Sequence, residues 1–430
     1  MNDDGRRLEE LLASREKYLS KALSIAHGRP LHIVRGEMQY LFAEDGTRYL
    51  DLVNNVCHVG HANPRVVADG ARQMALLNTN TRYVYPGLTD YLERLAATLP
   101  EPLSVGFLVN SGSEANELAL RLARSHTGVR DVVVVEGAYH GNTGQLVDLS
   151  PYKFRGPGGA GEPEPWVHVI PIPDVYRGGN RDFVSEAIEV IERTESDAGI
   201  GALLIESMLS CGGQVPLPAG YLSRIFESVR AAGGVCIADE VQVGFGRVGD
   251  DMWAFSEYGV VPDIVTMGKP IGNGHPMAAV FTTPEIASSF EEMEFFCTFG
   301  GNPVSCAIGM AVLDEIEDRD LMGRARELGG RFIEGLRELQ VRHPIIGDVR
   351  GRGLFLGFEM VRNQETLEPA ADEAQALVDF MRDRGVLMST DGPLHNVIKI
   401  KPPMVLNGED VEITLKLLDE GLASLWGSFN

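Results

Sequence analysis

Along the middle of the chain, short unbroken apolar runs take turns with longer segments whose apolar residues recur every three or four positions. Residues 131–135, 202–206, 235–239 and 263–267 are runs of the first kind. Their continuity suits strands covered on both faces, as in a parallel sheet. Residues 113–124 are of the second kind, with Ala115, Leu118, Ala119, Leu122 and Ala123 on one helical face. The alternation predicts an α/β domain, a parallel sheet with helices on both faces. Ahead of it, a helix over residues 8–26 and short strands, including a hairpin about Asp45-Gly46, make an N-terminal arm. Gly156 to Gly161, followed by Pro163 and Pro165, marks a surface loop. From about Val312 the pattern changes to a smaller helix-and-strand domain, in which residues 347–357 form a turn and a strand. The expected division is an arm over 1–55, a large domain over 56–311 and a small domain over 312–430, without internal repeats.

Chemistry sits where those runs end. The run 235–239 closes on Asp239, and the run after Asp263 closes on Gly268 and delivers Lys269 to a loop. An amine and an acid at the ends of two buried strands suit pyridoxal phosphate: the amine forms an imine with its aldehyde, and the carboxylate pairs with its ring nitrogen. A bare surface lysine is a poor account of a position that follows an apolar strand and a glycine. Glu206 closes a third run. Ser111-Gly112-Ser113 stands between a strand and a helix, where unpartnered helical amides can take a phosphate. Taken alone, the same tripeptide can be nothing more than a helix cap.

Taken in order, SGSEAN from Ser111, AYHG from Ala138, ADEVQVGFGR from Ala238, the strand ending in Lys269, and TFGGNP from Thr298 resemble the class III pyridoxal-phosphate aminotransferases of fold type I. The resemblance runs through nearly the whole chain. It implies a seven-stranded, mostly parallel sheet in the large domain, an α+β small domain, and a homodimer with shared active sites that can pair further into a tetramer. It implies Lys269 as the imine-forming lysine and proton shuttle, and Asp239 as partner of the ring nitrogen. Gln242 would touch the ring hydroxyl, Val241 one ring face and Tyr139 the other, although Tyr139 also reads as a plain core aromatic. Ser111 and the amides of Gly112 and Ser113 would hold the cofactor phosphate, and Thr298 would reach the phosphate of the neighbouring subunit. Glu206 would line the site, and Arg247 would be a structural salt-bridge residue.

LNTNTRY from Leu77, SPYK from Ser150, SCGGQ from Ser210 and MGKPIGNGHP from Met267 narrow the likeness to ethanolamine-phosphate and phosphohydroxylysine phospho-lyases. Where family members that use amino or keto acids commonly carry an arginine before a Pro-Pro stretch, this chain has Lys399, with Lys401 two residues on. Alternation along a strand puts both lysines on one side. Lysine is a point charge suited to a phosphate, whereas arginine forks onto a planar carboxylate. The same pattern also fits a solvated edge strand. Arg82 and Asn54 are further candidates for the substrate phosphate. His58 and His61 have metal-like spacing without an adjacent acid and read as loop scaffolding; no metal is expected. These readings favour elimination of phosphate from O-phosphoethanolamine or a related phosphorylated amine. An omega-amine:keto-acid aminotransferase is the alternative, and a cofactor-bound regulator is a third reading without a visible DNA-binding segment.

Bulk properties trim the remaining possibilities. The 430-residue chain carries a net charge of -23, which disfavours nucleic acid or anionic membrane as a partner. It also requires a local cationic pocket for any anionic substrate. Five cysteines without metal-type spacing, a polar start and no long apolar run point to the cytoplasm.

Overall fold

The computed structural model describes residues 7–197 and 199–429. Its centre is a sheet of seven strands: β1 (Val105–Val109), β2 (Val132–Val135), β3 (Val167–Ile170), β4 (Ala202–Glu206), β5 (Val235–Asp239), β6 (Ile264–Met267) and β7 (Ala278–Thr282). The order across it is β1-β7-β6-β5-β4-β2-β3. β7 is antiparallel to both neighbours, β6 and β1. β2 through β6 pair in parallel. The four runs read from the sequence are therefore the fully buried middle of this sheet.

Alternate side chains leave the sheet in opposite directions and meet different helices. Val134, Leu204, Ile237 and Val280 join the apolar side of helix α1 (Gly112–Thr127), where Ala115, Leu118, Ala119, Leu122 and Ala123 are all buried. Val133, Val135, Leu203, Ile205 and Cys236 pack instead with α2 (Phe183–Asp197) and α3 (Tyr221–Ala231). α1 ends on Gly128 at φ +72°, a left-handed stop that glycine adopts without Cβ strain.

Further along, helices Pro303–Asp318 and Leu321–Arg342 precede an antiparallel sheet in the order Ile346–Arg352, Phe355–Met360, Val397–Ile400, Ser389–Asp391. Near the N-terminus, Ile33–Glu37, Tyr40–Ala43 and Arg48–Asp51 form a meander with the expected turn at Asp45-Gly46, and Val386–Leu387 adds to it in parallel. The first helix is shorter than the sequence suggests, Leu8–Tyr18, and buries no residue. With no apolar face to anchor it, it stops at Leu19, which is extended, and the Ser20 hydroxyl takes the amide of Ala22. Among the described residues no helix is long and apolar enough to cross a membrane, and no cluster of metal-ligating side chains occurs.

Candidate active site

Parallel pairing puts the carboxyl ends of β4, β5 and β6 on one edge of the sheet, with Asp239 directly beside Glu206. A cavity of about 340 Å³ opens there, lined by Ser111, Gly112, Ser113, Tyr139, Glu206, Asp239, Val241, Gln242 and Lys269 among others. Nine of the residues singled out from the sequence thus share one space.

Lys269 follows β6 after Gly268 and begins a short 3-10 turn, Lys269–Gly272. Its φ of +32° lies in the left-handed region, an uncommon place for a residue with a Cβ. The half-buried ammonium has no carboxylate partner among the described residues.

Asp239 is 3 % exposed. Its Oδ2 accepts from Asn116 Nδ2 at 2.8 Å and faces His140 Nδ1 at 2.8 Å, and its Oδ1 accepts from the Val241 amide at 3.1 Å. The remaining polar atoms of those partners, Asn116 Oδ1 and His140 Nε2, are buried without partners, as is Glu206 Oε1. Glu206 Oε2 accepts from the amide and hydroxyl of Ser210. Burial raises the Glu206 pKa; His140 opposes and the Asp239 charge adds.

Those buried acids set the terms for a ligand. Among the described residues Asp239 pairs with His140 and with no lysine or arginine, so a protonated heterocycle against it would supply a fixed positive charge. The backbone is shaped for close approach: a Cβ on Gly112 or on Gly268 would lie 3.1 Å from a Val241 methyl. Gly112 and Ser113 open α1, whose first amides lack helical acceptors, while the Ser111 hydroxyl already caps Glu114. The Ser113 hydroxyl is occupied by Asn142, which leaves its backbone amide as the available donor. Tyr139 stands edge-on to Tyr152 at 5.9 Å, with the Lys153 ammonium 5.5 Å from the Tyr139 ring centre. The donor set, the glycine approach and the flanking Tyr139 and Val241 fit pyridoxal phosphate.

Gln242 links this cavity to the small sheet. Its Oε1 accepts from Asn55 Nδ2 at 2.6 Å and from Lys401 Nζ at 3.4 Å, which leaves its amide nitrogen as the free donor. Lys401 is 2 % exposed, and burial, reinforced by Lys399, lowers its pKa to about 8. Lys399 is less covered and pairs with Asp391 at 3.2 Å. Both lysines are near the Cys211 thiol, but burial and then Asp391 and Glu206 push that thiol up to about 12. This is not a solvated edge strand: Val397–Ile400 has a neighbour on each side.

Other candidates stand elsewhere. Asn54 spends its side-chain amide on Asp51 at 2.9 Å. Arg82 is exposed, pairs with Glu294 at 2.9 Å and lies over the Phe296 ring at 4.1 Å. Thr298, two residues from Phe296, is exposed as well. Of the expected substrate-phosphate and partner-site residues, none of Asn54, Arg82, Thr298, Lys399 and Lys401 lines the cavity of its own chain, and Lys401 touches it only through Gln242. Arg247 differs from the salt-bridge role expected of it. It is fully buried and donates to the carbonyls of Leu354 (3.0 Å) and Pro402 (2.9 Å), and its Nη2 meets His58 Nδ1 at 3.1 Å. Burial alone lowers its pKa to about 9. His58 is scaffolding, with Nε2 on the Phe245 carbonyl at 2.8 Å. His61 does have an acid: the end of strand Arg48–Asp51 brings Asp51 within 2.7 Å. Sequence reasoning passed over His140 and Asn116, although both lie inside the quoted AYHG and SGSEAN stretches.

Comparison with known proteins agrees with this geometry. The aminotransferase class-III family matches residues 24–422, and the chain belongs to that family. Its cofactor is pyridoxal phosphate and its fold is that of the fold type I enzymes. Among relatives, an alanine–glyoxylate aminotransferase 2-like protein of Drosophila melanogaster is 48% identical over 94% of this chain and 85% of its own length. An ethanolamine-phosphate phospho-lyase homolog of Caenorhabditis elegans is 40% identical over 97% of this chain and 94% of its own. A phospholyase from Arthrobacter, solved in complex with phosphoethanolamine, superposes with a TM-score of 0.91 at 39% identity, covering 96% of this chain and 99% of the other.

Proposed function

We propose that this chain is a phospho-lyase that eliminates phosphate from O-phosphoethanolamine or a closely related phosphorylated amine, giving aldehyde, ammonia and phosphate. The observation that carries this reading is Lys401, a buried ammonium tied to Gln242 at the cavity, with the Lys399 charge close by. A point charge held out of water strengthens attraction to a phosphate more than to a neutral amine. The likeness to a phospholyase in complex with phosphoethanolamine supports the same reading.

Bound at this site, pyridoxal phosphate supplies an aldehyde that takes up amines and a cationic ring that draws electrons from the carbon bearing nitrogen. Lys269 would be the attachment point, and its Nζ the base that takes the proton from that carbon. Asp239 keeps the ring nitrogen protonated, and Asn116 and His140 hold Asp239 in place. The backbone amides of Gly112 and Ser113 would hold the cofactor phosphate, Tyr139 and Val241 would flank its ring, and Gln242 would donate to the ring hydroxyl. Lys399 and Lys401 stabilise the charge that gathers on the departing phosphate oxygen as the carbon–oxygen bond breaks and the electron pair leaves with phosphate.

Arg82 and Thr298, exposed on their own chain, fit residues that serve the site of a second copy, so the reading includes a homodimer with shared sites. Five unpaired cysteines support a reducing compartment, the cytoplasm. The deciding experiment is phosphate release from phosphoethanolamine by cofactor-loaded protein without any keto acid. Release at a sustained rate is expected. Turnover that strictly requires pyruvate or 2-oxoglutarate replaces this reading with an amine:keto-acid aminotransferase, the activity class named for the Drosophila melanogaster relative.

A further inference from the structure

A glutamine amide can present either its oxygen or its nitrogen to a ligand, and the two ends have opposite polarity. At Gln242, which lines the cofactor cavity, the neighbours make the choice. Lys401 Nζ, which can only donate, lies 3.4 Å from Gln242 Oε1. Asn55 Nδ2 lies 2.6 Å from the same oxygen and 3.4 Å from the Gln242 main-chain carbonyl, which can only accept. An ammonium on one side and a carbonyl on the other therefore fix the sense of both amides. Gln242 Nε2 is left without a hydrogen-bond partner among the described residues. Asn55 does not line the cavity and is 5 % exposed, so whatever it does there it does through Gln242.

The loop that carries Asn55 is anchored on both sides of it. Before it, Asp51 takes the amides of Val53 (2.9 Å) and Asn54 (3.0 Å) and the side-chain amide of Asn54 (2.9 Å). After it, His58 Nε2 meets the Phe245 carbonyl at 2.8 Å, and the Val59 amide donates to Asn273 Oδ1 at 2.9 Å. Of the two donors on Gln242 Oε1, Asn55 is thus the closer and sits on a short side chain, whereas Lys401 reaches through four methylenes.

We propose that Asn55 is a positioning residue: it holds the Gln242 amide so that Nε2 donates to the ring hydroxyl oxygen of pyridoxal phosphate, and so sets how tightly the imine between Lys269 and the cofactor keeps its proton. This role needs the family's cofactor and not a particular substrate. A donor at that oxygen stabilises its anionic form and weakens its pull on the imine proton. With the amide free to turn, the oxygen loses its donor or faces the Gln242 carbonyl, and the imine keeps its proton to higher pH.

The test is a pH titration of the yellow band of the cofactor-loaded protein, read by absorbance without substrate. N55A is expected to move the midpoint upward by about one pH unit. Q242M removes the amide altogether and is expected to move it at least as far. N55A placed in the Q242M background is then expected to add nothing, whereas a role of Asn55 in loop folding alone acts equally in both backgrounds. N55S, smaller but still a donor, is expected to fall between N55A and wild type, and it carries the same comparison if N55A fails to fold. An unmoved midpoint in these Asn55 variants overturns the proposal, as does a shift that persists undiminished in the Q242M background.

Discussion

Lys401 gives the site a pH dependence that a surface lysine could not. Its ammonium is charged below about 8 and neutral above, well short of the ordinary lysine range. Attraction for a phosphorylated substrate is therefore present below that value and fades as pH rises through it. The KM for phosphoethanolamine is expected to climb above pH 8 while that of an unphosphorylated amine changes little; K401M should remove the climb and leave KM high throughout, roughly tenfold or more. At the base itself, K269A is expected to lower kcat by about 10³-fold or more and to abolish the yellow colour that cofactor gives with the wild type. Asp239 is the second group expected to be essential: D239N removes the charge and turns one of its two acceptor oxygens into a donor facing another donor, and should cost at least about 10²-fold in kcat, read in the phosphate-release assay. Lys269 and Asp239 were legible because each is a lone charged residue closing an apolar run. His140 and Asn116 were not, because their service to Asp239 depends on three segments meeting, which no local spacing reveals. The Asp51–His61 contact escaped for the same reason.

Strands and turns explain why the site has room for so little change. Gly112 at the start of α1 and Gly268 at the end of β6 both close on the Val241 side chain. A methyl at Gly268 must displace Val241 or widen the gap between β5 and β6, so G268A is expected to lower thermal stability and weaken cofactor retention. V241A makes space for it, and the double variant should recover part of the loss, an interaction energy of about 0.5–3 kcal/mol in a thermal-denaturation cycle. The middle strands were legible because burial on both faces demands continuous apolar sequence. The first helix was overextended because helix-forming residues alone do not sustain a helix without a surface to pack on. Lys399 and Lys401 could be placed on a strand from sequence, but whether that strand was an edge was decided by Ser389–Asp391 pairing with it.

At the scale of the molecule, several exposed apolar side chains lie on the segments that carry Arg82 and Thr298, two exposed site candidates outside the cavity. Leu76, Tyr83 and Val84 flank Arg82, and Phe299, 69 % exposed, follows Thr298. Such surface argues for cover by another copy. Light scattering is expected to give twice the chain mass of 46.8 kDa, and V84D is expected to shift it toward the single-chain value and lower activity together. The connections of the sheet have a quieter consequence. Most neighbouring strands in it are joined by long crossovers, but β6 returns directly through the Lys269 loop into β7, its antiparallel neighbour, with Met267 paired to Ala279. The Lys269 amine therefore rides on a short tether fastened at both ends to hydrogen-bonded backbone. Its swing between acceptor and donor atoms falls to side-chain torsions alone, so the enzyme's slowest rearrangements should leave that stalk still.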